Sequence, residues 1–374
     1  MSAGPDLASG SAQDTGGEDF LGSAFASARP AASDRRWMRR LFAIVVVVLV
    51  VLAGVVAGMV VYTDRQLGDI SRFPLDVDRP DRPPATGGRA LNLLVAAVDD
   101  PDGAERGPSV YEELASRGWT PGLFRSDAIM VLHLPADRRS AQLVSIPRDS
   151  YVAVPGHGRT KINAAFSYGG PRLLARTVED LTGVRIDHAV VIGLTGLSRV
   201  ADIVGGVELH LPEDTRSPID GSTWPAGTRR LDGAEALAYV RERHSLRRGD
   251  FSRIQRQQNF LRALFAQVAG SGTLTSPHRL VELVGQLSTT IAVDAGMTNG
   301  VMRRLALQSR HLRADDLTFA TVPVTGTPTI DGASVVTLDR PATRSMFAAL
   351  AEDRLGRWLR THTTDTLPPP EEVE

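Results

Sequence analysis

The longest apolar run in the chain, residues 41–63 (LFAIVVVVLVVLAGVVAGMVVYT), has no charged side chain between Arg40 and Asp64. At about 1.5 Å rise per residue, it is long enough to cross a hydrocarbon core of about 30 Å as a helix. It shows no polar stripe, which a helix packed on one side of a soluble core would carry. The pattern therefore predicts one transmembrane helix near the N-terminus.

Beyond it the pattern breaks into short elements of two kinds. Residues 91–98 (LNLLVAAV) read as a buried strand that ends at Asp99 and Asp100. Residues 127–134 and 141–146 read as two strands joined by a polar turn at Asp137–Arg139, which predicts antiparallel pairing. Helical spacing follows over 171–182, with Leu173, Leu174, Val178 and Leu181 on one face. A strand at HAVVIG (188–193), a helix over 197–204 and a strand at VELHL (207–211) come next. Asp232 is placed to cap a helix, with Glu235 three residues on as its capping-box partner. Helices are predicted over 251–269, 276–287, 296–309 and 341–355, with strands at LTFATV (317–322) and SVVTLD (334–339). Strands interleaved with helices predict an α/β fold: a three-layer α/β/α domain with a central mixed β-sheet, preceded by the transmembrane helix.

Charge orients the anchor. Arg35, Arg36, Arg39 and Arg40 crowd its N-terminal side, while Asp64, Arg65 and Asp69 follow it. The positive-inside bias predicts a single-pass protein of the cell membrane, with a cytoplasmic N-terminus and an extracytoplasmic C-terminal domain. Residues 1–34, rich in small and polar side chains, are expected to be a disordered cytoplasmic tail, and 35–63 the basic flank and membrane helix. Residues 64–89, with Pro74, Pro80, Pro83 and Pro84, are expected to be an extracytoplasmic linker. The globular domain then spans 90–356, and the acidic, Pro-rich residues 357–374 are expected to form a flexible tail. A net charge of −1 gives no electrostatic footprint for nucleic acid. The absence of cysteine excludes disulfides and thiolate metal sites, and Lys161 is the sole lysine.

The chemistry concentrates in residues 237–261 (LAYVRERHSLRRGDFSRIQRQQNFL). On a helix, Asp250, Arg253 and Gln257 share one stripe, which continues as Ile254, Leu261, Leu264 and Val268, while Gln255, Asn259 and Arg262 point away. Charged groups on an inward stripe are costly unless they are paired or line a cleft. Arg241 and Arg243 share one side if their segment is extended, and with Arg253 they suit a polyanion, because the guanidinium fork binds phosphate oxygens in pairs. An ion-pair network with Glu242 and Asp250 is the plainer alternative. Further Arg/Asp groupings stand at strand ends or in loops: Arg125 with Asp127, Ser145–Asp149 (SIPRD), and Arg159–Asn163 (RTKIN).

The ordered motifs LNLLVAAVDD, RSDAIMVLHL, VSIPRDSYV, TKINAAFSYGG, IVGGVEL, LDGAEALAYVRERHSLRRGDFSRIQRQQ and a late VPV before DGASVV resemble the LytR-CpsA-Psr (LCP) family over residues 90–355. The resemblance implies a bacterial enzyme of cell wall biogenesis that attaches glycopolymers to peptidoglycan. It implies an apolar tunnel for the tail of a polyprenyl pyrophosphate, with the diphosphate at the tunnel mouth. Carried over by motif, Asp99 and Asp127 would hold Mg2+ or Mn2+. Arg148, Arg241, Arg243 and Arg253 would grip the diphosphate, with Asp250 as a candidate base. Arg125, Lys161, Asn163, Arg256 and Gln257 are the candidate substrate contacts. Two departures from the family pattern fall near Asp99: Ala97 and Pro101 stand where Gly and Arg are usual, and an insertion over 101–123 separates the two carboxylates.

The implied activity is a magnesium-dependent phosphotransferase that moves a glycopolymer from its polyprenyl-pyrophosphate carrier to peptidoglycan through a phosphodiester link. The alternatives are a carrier module that binds the lipid without transfer, and a pyrophosphatase using water in place of the wall hydroxyl.

Overall fold

The apolar run LNLLVAAV becomes β2 (Leu91–Val98), the central strand of a seven-stranded sheet. The computed structural model describes residues 45–47, 58, 61–86, 88–99, 109–116, 118–216, 221, 223–242, 246–270, 272 and 276–374. Of the predicted membrane helix, residues 45–47, 58 and 61–63 are described, and all are helical. The remainder of that helix, its basic flank and the tail 1–34 lie outside the described residues. Among the described residues no helix is long and apolar enough to cross a membrane. Residues 59–374 form one compact unit.

In chain order this unit contains α1 (residues 61–68), β1 (Ser71–Phe73), β2, α2 (Val110–Ala115), β3 (Ser126–Leu134), β4 (Ala141–Ser145), β5 (Tyr151–Val154), β6 (Gly158–Lys161) and α3 (Asn163–Thr182). There follow β7 (His188–Gly193), α4 (Leu194–Ile203), β8 (Val207–Leu211), β9 (Thr215–Arg216), β10 (Thr223–Trp224), β11 (Gly227–Leu231), α5 (Gly233–Arg241), α6 (Asp250–Gly270) and α7 (Pro277–Thr290). The last elements are β12 (Ile291–Asp294), α8 (Asn299–Gln308), β13 (Leu317–Thr321), β14 (Val324–Gly326), β15 (Thr329–Ile330), β16 (Ala333–Ser334), β17 (Thr337–Leu338), α9 (Arg340–Ala351) and α10 (Leu355–Leu359).

The main sheet runs β1-β12-β7-β2-β3-β4-β13. It is mixed, as expected: β7 is parallel to β2, and β3 is antiparallel to both β2 and β4. Alternation along the strands loads both faces. Leu94, Ala96 and Val98 of β2 join a core with Leu174 and Val178 of α3 and Phe347 of α9. Leu93 joins a second core on the opposite face, against which Phe265 of α6 and Val301 of α8 pack. Helices therefore cover both faces of the sheet.

Local signals held where the chemistry is local. Strands β2, β7 and β8 coincide with the predicted runs, and Asp232 and Glu235 form the expected capping box on α5. The predicted helix start at Pro171 corresponds to a kink inside α3. There Gly170 takes φ 64°, and a Cβ would lie 3.1 Å from the Trp119 ring.

Several expectations are corrected by long-range packing. Residues 64–89 are not a free linker. Within them β1 pairs parallel with β12, and Arg79 and Arg82 bind the buried Glu179 at 2.8 and 2.7 Å. Residues 334–339 do not form one strand, because Val336 is drawn into backbone hydrogen bonds with Asp149 and Tyr151, leaving only β16 and β17. The predicted helix 341–355 divides into α9 and α10 around Asp353, whose φ is 56°. The acidic tail is docked rather than flexible: Leu367 N donates to Phe319 O, and Val373 is fully buried.

Docking of that segment overturns one further expectation. The face of α6 bearing Gln255, Asn259 and Arg262 was expected to point away from the core. Instead Gln255 Nε2 donates to Asp365 Oδ1 at 3.1 Å and Arg262 Nη1 to Pro368 O at 3.0 Å. Gln255 and Asn259 are buried.

Candidate active site

Three pieces of chain converge at the C-terminal end of β2. The first is a β-bulge. Ala97 pairs with Ala128 and Val98 with Ser126, so Asp127 is the extra residue of β3, opposite the strand end that leads into Asp99. Bulges re-aim side chains in this way and are common beside functional sites. The second is the turn after β4, which presents Arg148. Asn163 N donates to Arg148 O at 3.1 Å and Ser150 Oγ to Pro147 O at 2.6 Å, fixing the turn. The third is the first turn of α6, which brings Asp250 and Arg253.

Arg148 is the hub. Its guanidinium is hydrogen-bonded to Asp127, lies 3.7 Å from Asp250 and 3.9 Å from Asp149. Asp250 is also ion-paired with Arg253, which is almost wholly buried. Lys161 joins through Asp149, at 2.8 Å. Asp99 pairs with Arg241 at the end of α5, so Arg241 is helical rather than in the extended segment expected for it. Arg243 lies outside the described residues. Burial pushes the Arg148 guanidinium down, but the surrounding carboxylates of Asp250, Asp127 and Asp149 outweigh it and hold the group above its ordinary value.

The structure thus brings Asp127, Arg148, Asp250 and Arg253 together, with Lys161 one residue removed. Asp149, which links the two cations, stood in the sequence as part of the SIPRD grouping, but without a role of its own. Asn163 contributes its main chain. Arg125 is exposed two residues before Asp127. Arg256 is elsewhere: it stacks on Tyr239 at 4.6 Å and donates to Glu374 O at 2.7 Å, so it packs the docked C-terminal segment. Burial lowers its pKa.

The donor atoms are oxygens. Asp99 directly follows the last residue of β2 and Asp127 is the bulged residue of β3 opposite that strand end, and the buried Asp250 Oδ2 has no hydrogen-bond partner among the described residues. Mg2+ takes such ligands, commonly one or two carboxylates together with phosphate oxygens. A cage of three or more His, Cys, Asp or Glu is absent among the described residues. The described residues offer carboxylate oxygens of the kind Mg2+ takes, in a number that leaves room for phosphate ligands.

Beside the charged cluster lies an apolar cavity of about 40 Å³ between the sheet and helices α4, α5 and α6. Val95 and Ala97 of β2, Met130 of β3, and Phe260 and Leu261 of α6 line it, with Gln257 as the polar exception. Gln257 Oε1 is buried without a hydrogen-bond partner among the described residues.

The model of the LytR_cpsA_psr family matches residues 81–352. The chain belongs to the LytR-CpsA-Psr family. Among LCP relatives, the cell wall biosynthesis protein LcpA of Corynebacterium glutamicum is 35% identical over 290 residues, covering 69% of this chain and 55% of that protein. TagV of Bacillus subtilis, a polyisoprenyl-teichoic acid–peptidoglycan teichoic acid transferase, is 32% identical over 210 residues, covering 54% of this chain and 52% of its own length. The chain spans about half the length of these two relatives. The crystal structure of B. subtilis TagV matches the LCP fold here with a TM-score of 0.56 at 23% identity, over 72% of this chain and 98% of that one. TagT bound to LI-WTA matches with a TM-score of 0.55 at 24% identity, over 76% and 98%.

Proposed function

We propose that this LCP domain transfers a glycopolymer from a polyprenyl-pyrophosphate carrier to peptidoglycan, forming a phosphodiester, at the outer face of the membrane to which residues 41–63 anchor it. One observation carries the reading: a single helix, α6, serves two environments. Its first turn supplies Asp250 and Arg253 to the charged cluster, and Gln257, Phe260 and Leu261 line the apolar cavity. An amphiphile with an anionic head and an apolar tail suits that arrangement. TagV, named for a polyisoprenyl-linked donor and a peptidoglycan acceptor, supports the same substrate classes.

Arg148, Arg241 and Arg253 bind the diphosphate in exchange for their present carboxylate partners, with Arg243 assigned to the same role by motif. Asp99 and Asp127 are the residues that would hold Mg2+, which supplies charge neutralisation on the phosphates. A wall hydroxyl attacks the sugar-proximal phosphorus, the bond to the bridging oxygen breaks, and polyprenyl phosphate leaves. Asp250, through its unpartnered Oδ2, takes the hydroxyl proton. Fixed cations at the place where charge develops supply most of the help such chemistry needs. The cavity has room for a few small groups only, so entry of a polyprenyl chain requires α4, α5 and α6 to spread from the sheet.

The test is to incubate the purified chain with Mg2+ and a polyprenyl-pyrophosphate-linked glycan, with and without peptidoglycan. The expected result is release of polyprenyl phosphate together with acceptor-dependent glycan on the wall polymer. Binding without release identifies a carrier module, and release that ignores the acceptor identifies a pyrophosphatase.

A further inference from the structure

A second, larger cleft of about 610 Å³ lies on the other side of the α6 N-terminus, bounded by the chain after β13, the start of α9 and the docked residues 358–365. We propose that this cleft is the acceptor subsite and that it takes neutral sugar rings of the peptidoglycan glycan; the proposal rests on the transferase reading above. Its volume falls within the range of about 300–1,000 Å³ typical of small-molecule sites.

The lining selects the ligand class. Phe251, Trp358 and His362 contribute rings. Trp358 and His362 stack at 4.2 Å and 4°, with Trp358 Nε1 fixed on Ser345 Oγ at 2.9 Å and the imidazole exposed. The charges nearby do not favour a polyanion: Arg248 is already neutralised by Asp365, at 2.8 Å, and Asp339 adds a second carboxylate. An apolar tail is equally unsuited, because it would desolvate these carboxylates and the Thr363 and Thr364 hydroxyls without offering hydrogen bonds. A pyranose fits both demands. Its C–H faces pack on rings, and its hydroxyl edges donate to carboxylates and exchange hydrogen bonds with threonines.

Connectivity ties the cleft to the reacting centre. The turn Arg248–Phe251 sends Asp250 to the charged cluster and its immediate neighbour Phe251 into the cleft. On the opposite wall, Val336 N donates to Asp149 O at 2.8 Å, joining the segment before Asp339 to the Arg148 turn. A glycan strand seated here lies beside Phe251, the chain neighbour of Asp250, away from the α6 residues Gln257, Phe260 and Leu261 that line the apolar cavity.

The test measures binding of a soluble peptidoglycan disaccharide to the whole chain by saturation-transfer NMR, and separately the KM for acceptor and donor. Phe251→Ala removes a ring, and Thr363→Trp fills the cleft from an exposed position at which folding is readily checked by thermal unfolding. Both variants are expected to weaken disaccharide binding and raise the acceptor KM by about tenfold, with the donor KM unchanged. Transfer in which neither variant alters disaccharide binding or acceptor KM overturns the subsite and leaves the transferase reading standing. Disaccharide binding that is lost in the variants, in a chain that catalyses no transfer, supports the subsite and overturns the transferase reading.

Discussion

Arg148 faces three carboxylates in a site whose proposed ligand is itself anionic, so the diphosphate must compete with Asp127, Asp149 and Asp250 for one guanidinium. Its charge persists at any working pH, and what the site needs from it is the planar fork. Arg148→Lys should therefore fold normally, since it keeps a cation among the carboxylates, yet lower turnover by roughly 10²-fold; equal kcat in the two proteins would remove Arg148 from the centre of the mechanism. A second residue carries a pH signature. His133 is wholly buried between Asn92 and Asp353, at 2.7 Å from each, and burial lowers its pKa despite the help of Asp353. The unfolded chain then takes up a proton at a higher pH than the folded one. Stability is fully present above the ordinary histidine value of 6.5 and falls as pH drops below it toward the lower folded value. Unfolding midpoints measured from about pH 7.5 to 5 should show this decline, and His133→Gln should flatten it. Residue types and their motif positions were legible in the sequence. The Asp127 bulge and the Asp149 bridge were not, because both depend on how separate strands pair.

At the scale of elements, α5 and α6 show what a one-dimensional pattern contains. The cap of α5 involves Asp232 and Glu235 only, three residues apart, so it could be read directly. Asp232→Ala should cost about 1 kcal/mol in denaturant unfolding with little change in the slope; no loss would mean that the rest of the domain fixes the helix start. Helix α6 defeats such reading on one side. The period correctly grouped Asp250, Arg253 and Gln257, but on the opposite stripe Gln255 meets the Asp365 carboxylate, Arg262 meets the Pro368 carbonyl, and Asn259 accepts from Arg262. A polar face covered by a distant segment has the same sequence pattern as a solvated face. For the same reason an acidic, Pro-rich composition reads as a loose tail, although Glu374 accepts from Ser252 Oγ at 2.6 Å and from the Arg247 amide at 2.5 Å.

For the molecule as a whole, residues 71–86 are part of the folded domain and not a free linker. α1 ends at residue 68, and β1 enters the sheet at Ser71, while Asp64 lies 3.1 Å from Arg303 of α8. The mixed sheet and its two covered faces followed from the strand and helix pattern, whereas the strand order did not, and Pro-rich composition alone does not reveal the Arg79 and Arg82 contacts to Glu179. The central claim is that the Arg148 cluster and the cavity beside it hold the two ends of one polyprenyl phosphate lipid. Mass spectrometry of lipid co-extracted with the purified full chain tests it most directly. A polyprenyl phosphate or diphosphate should accompany the native protein and be lost from a variant combining Arg148→Lys with Leu261→Asp in the cavity; absence of such lipid from the native protein under gentle extraction, or equal amounts in both, would contradict the account.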